Sequence, residues 1–319
     1  MNLDSDLLLR SNLVRAGSTD ADIRAATKTG AIERIRRGAF APTQKLEAMS
    51  ASERHILGVR AHRAAAGSDL IVSHQSAALL HGIPLWTPDL QRAHFSIARP
   101  SGGRRTTSRH VHPAILSPQD VVTAGGLSVT SPDRTVADLC KALPFEAAVC
   151  AIDAALYRRL ATMNGIREAL QRSGVKSTVK AQRAVNFADA GSESIGESRS
   201  RVQIHYAGLP VPMLQVDLYS DAGLFIARVD FVFEDFGVIG EFDGRVKYSK
   251  YLNPGQSPSD AVVAEKYRED ALRSHGWVVV RWTWSDLEHP ERLVEKLERA
   301  FELASALPRP RTILRPAVA

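Results

Sequence analysis

The stretch from Arg228 to Lys247, RVDFVFEDFGVIGEFDGRVK, constrains this chain more than any other. Two short runs rich in β-branched and aromatic residues, Val229–Phe233 and Val238–Phe242, flank Glu234-Asp-Phe-Gly237, an interruption of turn composition that contains a glycine. Such a pair predicts a β-hairpin. Side chains alternate faces along a strand. Val229, Phe231 and Phe233 are therefore expected on one face with Asp230 on the other, and Glu241 and Asp243 share a face on the return strand. An even loop centred between Asp235 and Phe236 puts Asp230 directly opposite Glu241, at the roughly 4.5–5.5 Å Cβ separation of opposed residues. An odd loop would shift that register.

In the even register two or three acids meet on one patch, and like charges directly opposite destabilise a sheet. Three things offset such repulsion: a raised pKa, a nearby Lys or Arg, or a bound divalent cation. If a cation is the answer, a set of oxygen donors without Cys or His suits Mg²⁺ or Mn²⁺ better than zinc, with Asp230, Glu241 and Asp243 as ligands.

An acid on one strand, then a Glu and a residue two further on along the partner strand, after a helix bearing a Glu, resembles the PD-(D/E)XK nuclease core, the restriction-endonuclease-like fold. The resemblance makes Glu197, in Ser192-Glu-Ser-Ile-Gly-Glu-Ser-Arg-Ser-Arg, the helical acid, Asp230 the first strand acid and Glu241 the second. Asp230 to Gly244, Lys266-Tyr-Arg-Glu-Asp-Ala-Leu-Arg and Gly276-Trp-Val-Val-Val-Arg-Trp282 resemble more narrowly the DUF559 branch, whose relatives include very-short-patch-repair-type endonucleases. The likeness spans about residues 190–305 and implies metal-dependent hydrolysis of DNA phosphodiesters. The chain departs from the pattern at the usual Lys of E-x-K, which is Asp243 here; Lys247 has the strand parity to substitute, unless Gly244 ends the strand first. Glu193 and Glu197, four apart on one helix face, also have a plainer reading as first-turn acids favoured by the helix dipole.

The N-terminal region reads differently. Residues 5–16 predict a helix with Leu8, Leu9 and Leu13 on one face, closed by Gly17. Ser18 to Lys28 predicts a second helix closed by Gly30, and Ala31 to Pro42 two strands about a turn at Arg37-Gly38. Helix, helix, then basic hairpin is the plan of a winged helix. Arg24 and Lys28, four apart on the second helix, and Arg34, Arg36 and Arg37 on the wing are the candidate phosphate contacts. The alternative is a helical cap with solvated basic residues. This region, with its RIRRGAFAP ending, and the following Ser73-His-Gln-Ser-Ala-Ala-Leu-Leu-His-Gly-Ile-Pro84 resemble AbiEi-type antitoxins. That likeness implies a DNA partner and a cognate toxin. His74 and His81, seven apart, are too distant for joint metal ligation without a third contributor and read as packing or capping residues.

Between 91 and 130 short strands are expected, with a flexible basic loop at Arg99–His110; helices follow at 132–140, 145–158 and 164–171. Ser173 to Arg183 lacks a clear apolar stripe, which places a connection at 174–190. The Trp277–Trp282 run reads as a buried strand interrupted by Arg281, and a buried arginine wants an acid or a phosphate. Arg281 is therefore a further nucleic-acid candidate.

The expected organisation is a multidomain α/β and α+β protein: winged helix at 1–45, antitoxin-like α+β region at 46–173, linker at 174–190, nuclease-like domain at 191–307 and a frayed tail at 308–319. A length of 319 residues and 44% apolar content suffice for several cores. No run approaches a membrane span, the start lacks a signal-peptide pattern, and two cysteines, Cys140 and Cys150, are too few for a disulfide framework, so a cytoplasmic location is expected. A net charge of +6 fits a polyanionic partner without requiring one. Two functions follow: a DNA-binding protein with a metal-dependent endonuclease domain, or a non-catalytic regulator or antitoxin with a degenerate nuclease fold.

Overall fold

The structure is a computed structural model that describes residues 6–66, 69–99, 101–174, 178–244 and 258–316. The chain forms two compact units, Met1–Phe187 and Ala188–Ala319, with mixed α/β content in each.

The first unit opens with a three-stranded sheet, ordered β1-β3-β2, made of β1 (Leu8–Leu9), β2 (Ile32–Arg36) and β3 (Ala39–Pro42). Two helices, α1 (Arg10–Arg15) and α2 (Asp20–Lys28), lie in sequence between β1 and β2. The helix expected over 5–16 is thus shorter. Leu8 and Leu9 pair with Phe40 and Ala39 instead, because a leucine run fills a strand as readily as a helix face. Thr19 caps α2 in a reciprocal box with Asp22, and Gly38 makes the hairpin turn with φ of 80°.

After α3 (Thr43–Ala48) and α4 (Ala51–Ala65), a six-stranded sheet forms in the order β6-β7-β5-β4-β9-β8. Its strands are β4 (Ile71–Val72), β5 (Ala93–Ile97), β6 (Arg104–Arg105), β7 (Arg109–Pro113), β8 (Val121–Ala124) and β9 (Leu127–Thr130), with α5 (His74–Leu80) between β4 and β5. Val72, Phe95, Val111 and Val129 form its core with Val59 of α4. The basic segment expected to be a loose loop contributes β6, whose Arg104 and Arg105 pair with Val111 and His110.

Four helices complete the unit: α6 (Pro132–Ala142), α7 (Phe145–Tyr157), α8 (Met163–Arg172) and α9 (Thr178–Phe187). The last occupies the stretch expected to be a linker. Its inward face is Ala181, Ala184 and Val185, all buried, a stripe of small residues too weakly hydrophobic to stand out in sequence.

The second unit runs α10 (Ile195–Tyr206), β10 (Met213–Tyr219), β11 (Phe225–Phe233), β12 (Val238–Asp243), α11 (Pro258–Ser274), β13 (Val278–Thr283), α12 (Trp284–Glu288), α13 (Pro290–Ser305) and β14 (Ile313–Pro316). Its sheet is ordered β13-β12-β11-β10-β14; β10, β11 and β12 are antiparallel neighbours, and β12 runs parallel to β13 across the α11 crossover. The segment 308–319, expected to fray, supplies β14, because Leu314 packs onto the core and Arg315 covers the Tyr219 ring.

The hairpin has the even register. Phe231 pairs with Gly240 and Phe233 with Val238 around a four-residue turn, Glu234–Gly237, that ends on Gly237 with φ of 66°. Asp230 and Glu241 are the next pair beyond the last bridge. The expected alternation breaks at this point, however. Phe231 and Phe233 join the core cluster of Ile204, Trp282 and Leu293, whereas Val229 joins Val232 and Ile239 in the cluster around Leu272 and Trp277. The slip occurs where β10 and β11 pair at Leu214–Phe231 and Val216–Val229 but not between, and Gln215 there has a φ of 46°. A left-handed conformation costs a residue with a side chain roughly 1–2 kcal/mol, so packing and hydrogen bonds must hold it.

Candidate functional site

Glu197 enters the site because α10 lies hard against β12. A Cβ on Gly196 would overlap the Phe242 ring, so only glycine allows the approach. Ser194 caps the helix by accepting from the Glu197 amide at 3.2 Å. Glu197 in turn accepts from the Glu193 amide at 2.9 Å and from Ser194 Oγ at 2.6 Å. Glu197 alone is the first-turn acid, since Glu193 precedes the Ser194 cap and does not share its helix face as the sequence suggested; that role also fixes the Glu197 carboxylate in place.

The strained Gln215 joins the acids. Its Nε2 donates to Glu197 Oε2 at 3.0 Å and to Asp230 Oδ1 at 3.2 Å, and its Oε1 accepts from Arg228 Nε at 2.9 Å. Arg228 also pairs with Glu193. Asp230 Oδ2 accepts from the Phe242 amide at 2.9 Å, so the side chain takes a backbone donor just past the last hairpin bridge. Burial, then the neighbouring Asp230 charge, pushes the Glu197 carboxyl up to about 7. Burial also raises Asp230, against the Phe242 and Gln215 hydrogen bonds that favour its charged form.

Glu241 is buried and held otherwise. Arg268 approaches its Oε1 at 2.8 Å, and Arg281, its register partner on β13, approaches Oε2 at 3.0 Å. Arg281 extends the network to Glu269 at 3.2 Å. The interrupting arginine of the apolar run thus found an acid. Asp243 is half-buried at the end of β12, opposite Thr283. Lys247 falls outside the described residues.

Two of the three sequence-derived ways to relieve acid crowding are therefore in use: raised pKa at Glu197 and Asp230, arginine pairing at Glu241. Glu197 and Asp230 come together through Gln215, while Glu241 is engaged by arginines. Arg268 belongs to a motif quoted from sequence but was no site candidate there, and neither were Gln215 and Arg228; a glutamine in a strand carries no signal until its backbone is seen to break the ladder. Of the N-terminal cations, Arg24, Lys28, Arg34 and Arg37 are exposed, whereas Arg36 turns inward and donates to the Ala61 carbonyl at 3.3 Å.

No family model matches the chain. It is similar to two uncharacterized proteins of Mycobacterium tuberculosis, MT2308 of strain CDC 1551 and Rv2248 of strain H37Rv, each 27% identical over 181 residues, or 56% of this chain. The chain spans 64% of the length of these relatives. Among solved structures, the crystal structure of the RV2827C protein from Mycobacterium tuberculosis covers 66% of this chain and 78% of its own, at 15% identity and a TM-score of 0.42. A likeness that slight carries no argument about function.

The raised Glu197 pKa has a consequence for stability. A carboxyl that keeps its proton longer when folded stabilises the fold below its unfolded pKa, and that contribution is lost as pH climbs to about 7. Denaturation followed by tryptophan fluorescence should show the second unit weakening from pH ~5 to ~7.5. Glu197→Gln should flatten this slope and raise stability at pH ~8 by about 2–3 kcal/mol. An unchanged slope in the variant would refute the assignment.

Proposed function

We propose that this protein binds DNA and that its second unit is a nuclease-type domain of the PD-(D/E)XK kind, acting on phosphodiester bonds. The observation that carries the reading is the coincidence of topology and acids. A helix, three antiparallel strands, a crossover helix and a parallel strand follow one another, with carboxylates on the helix (Glu197, buried), the second strand (Asp230, half-buried) and the third (Glu241, buried). For the first unit, support comes from the helix–helix–hairpin order at 10–42 and from exposed Arg24 and Lys28 on α2 with Arg34 and Arg37 on the hairpin. That is the plan of a winged helix with phosphate-type contacts.

The donor set at Glu197 and Asp230 fits a small hard cation. It offers oxygen alone, and buried Glu197 and half-buried Asp230 both have raised pKa, a strain that a divalent ion would relieve. Asp230 and Glu197 would hold Mg²⁺ or Mn²⁺; Glu241 and Asp243 would join them only if Glu241 leaves Arg268 and Arg281. When bound, the ion would supply Lewis-acid stabilisation of the phosphate and lower the pKa of water. The chain's own residues do the rest. Gln215 holds both carboxylates in register. Arg268 and Arg281, each part-exposed beside the site, can transfer their charge from Glu241 to a phosphate oxygen.

A second reading has a specific observation in its favour. Glu241 already neutralised by two arginines, with Asp243 where the resembled family has lysine, describes a site retired from catalysis. In that case the protein is a non-catalytic DNA-binding regulator or antitoxin of AbiEi type, with a cognate toxin as its protein partner.

Plasmid cleavage with Mg²⁺ or Mn²⁺ separates the two. The nuclease reading expects nicking that falls at least ~100-fold in Asp230→Ala and in Glu241→Ala. Duplex binding without cleavage under any divalent ion would overturn it in favour of the regulator. For the N-terminal module, Arg24→Ala with Lys28→Ala should weaken binding alike on all sequences and reduce the salt slope of log K by about 2. An unaltered slope would remove the winged helix from the account.

A further inference from the structure

Outside the acidic site, the first unit buries a patch of histidines that the proposed function does not use. His94 on β5 and His112 on β7 lie on one sheet face, since the parallel register pairs His94 with His110 and Ser96 with His112. His74, at the start of α5, comes over them, its ring stacked on His112 with centroids 3.8 Å apart. One ring nitrogen from each of His74, His94 and His112 lies within 4.8 Å of the other two. Read in sequence, His74 and His81 were too far apart to act together. His81 does bind the Thr130 carbonyl, at 2.7 Å, and the partners of His74 come from strands about 20 and 40 residues away.

Hydrogen bonding within this patch does not close. His94 Nδ1 faces His112 Nε2 at 3.0 Å, and two neutral imidazoles meeting nitrogen to nitrogen share one proton. His94 Nε2 is buried with no hydrogen-bond partner among the described residues, and so is Ser96 Oγ on the same face. If His94 Nδ1 donates, its Nε2 is a bare lone pair; if His112 donates, His94 Nε2–H has nothing to donate to. Either tautomer leaves His94 Nε2 unmet, and so would an ion held by Nδ1; the place where a cation fits is the contact of Nδ1 with His112 Nε2, where one shared proton now stands. His74 is itself strained, with φ of 52°, and its Nδ1 is fixed by Ser73 Oγ at 2.9 Å, the outer-sphere bond that typically orients a ligating imidazole.

We propose that His74, His94 and His112 bind a divalent transition-metal ion of the zinc class. The 3.0 Å nitrogen separation is close to the ligand–ligand edge of about 3.3 Å in a tetrahedron with ~2.0–2.1 Å metal–nitrogen bonds. A set of three imidazoles without carboxylate selects zinc, nickel or copper chemistry over magnesium or calcium. Burial keeps the ligands in the neutral form that a metal needs, with His94 lowered to about 4 and His112 to about 2. The fourth tetrahedral position is left for a water. The site is independent of the acids of the second unit.

The test uses the full chain without a histidine tag, stripped with chelator and dialysed. With Mg²⁺ in excess to occupy the acidic site, Zn²⁺ should bind with one further equivalent per chain by calorimetry and elemental analysis, and Co²⁺ should give the intense visible bands of tetrahedral nitrogen coordination. His94→Gln and His112→Gln should each weaken Zn²⁺ binding at least tenfold and abolish the Co²⁺ bands, whereas His81→Gln should bind as the wild type does. Absence of the Co²⁺ bands in the wild type, or equal binding by His94→Gln with native circular dichroism, would overturn the proposal. If His94→Gln fails to fold, the wild-type Co²⁺ spectrum decides alone.

Discussion

Two carboxylates held side by side set the terms for the second unit. Glu197, buried, and Asp230, half-buried, belong to different elements; burial raises both, and the Asp230 charge raises Glu197 further, so each must be held against an electrostatic cost. The surrounding structure meets that cost in particular ways. Gly196 lets the helix approach closely enough for Glu197 to arrive, Ser194 and the Glu193 amide bind its oxygens, and the Phe242 amide binds Asp230. Gln215 stands between the acids in a backbone conformation that no regular strand would adopt. A purely structural sheet would gain stability from apolar residues at all these places, since a buried polar network is at best balanced against a well-packed apolar core. Its persistence is the physical reason to regard this as a site.

Much of this was legible in the sequence, and the limits have identifiable causes. The hairpin was legible but its register stayed open between an even and an odd loop; the structure has the even one, Glu234–Gly237, ending on a residue suited to positive φ. Arg281 announced its need for an acid by interrupting an apolar run, and Glu241 lies opposite it on the neighbouring strand. What escaped was long-range or rested on small residues. Alternation put Val229 with Phe231, but the slip at Gln215 separates them, and a bulge-like break leaves no trace in residue type. The helix at 178–187 is held by alanines that composition alone treats as neutral. Leu8 and Leu9 became a strand because Ala39 and Phe40, thirty residues on, offered an edge. The closing β14 depends likewise on a partner strand far away in sequence.

The histidine patch of the first unit shows the same logic with a different outcome. Neutral imidazoles stack and hydrogen-bond among themselves, yet their nitrogens outnumber the protons and partners on hand. In the acidic site arginines and protons complete the electrostatics; in the histidine patch the residues alone do not. Strained backbone marks both places, at Gln215 and at His74. Both are residues with side chains in conformations better suited to glycine, retained where polar side chains must converge.

The claim on which the account rests is that burial and the neighbouring Asp230 charge together raise the Glu197 carboxyl. Carbon-detected NMR titration of the Glu197 carboxyl reads this directly. The account predicts a midpoint of about 7 in the wild type that moves down toward the ordinary carboxylate range in Asp230→Asn. A wild-type midpoint already in that range, or one indifferent to Asp230→Asn, would contradict it.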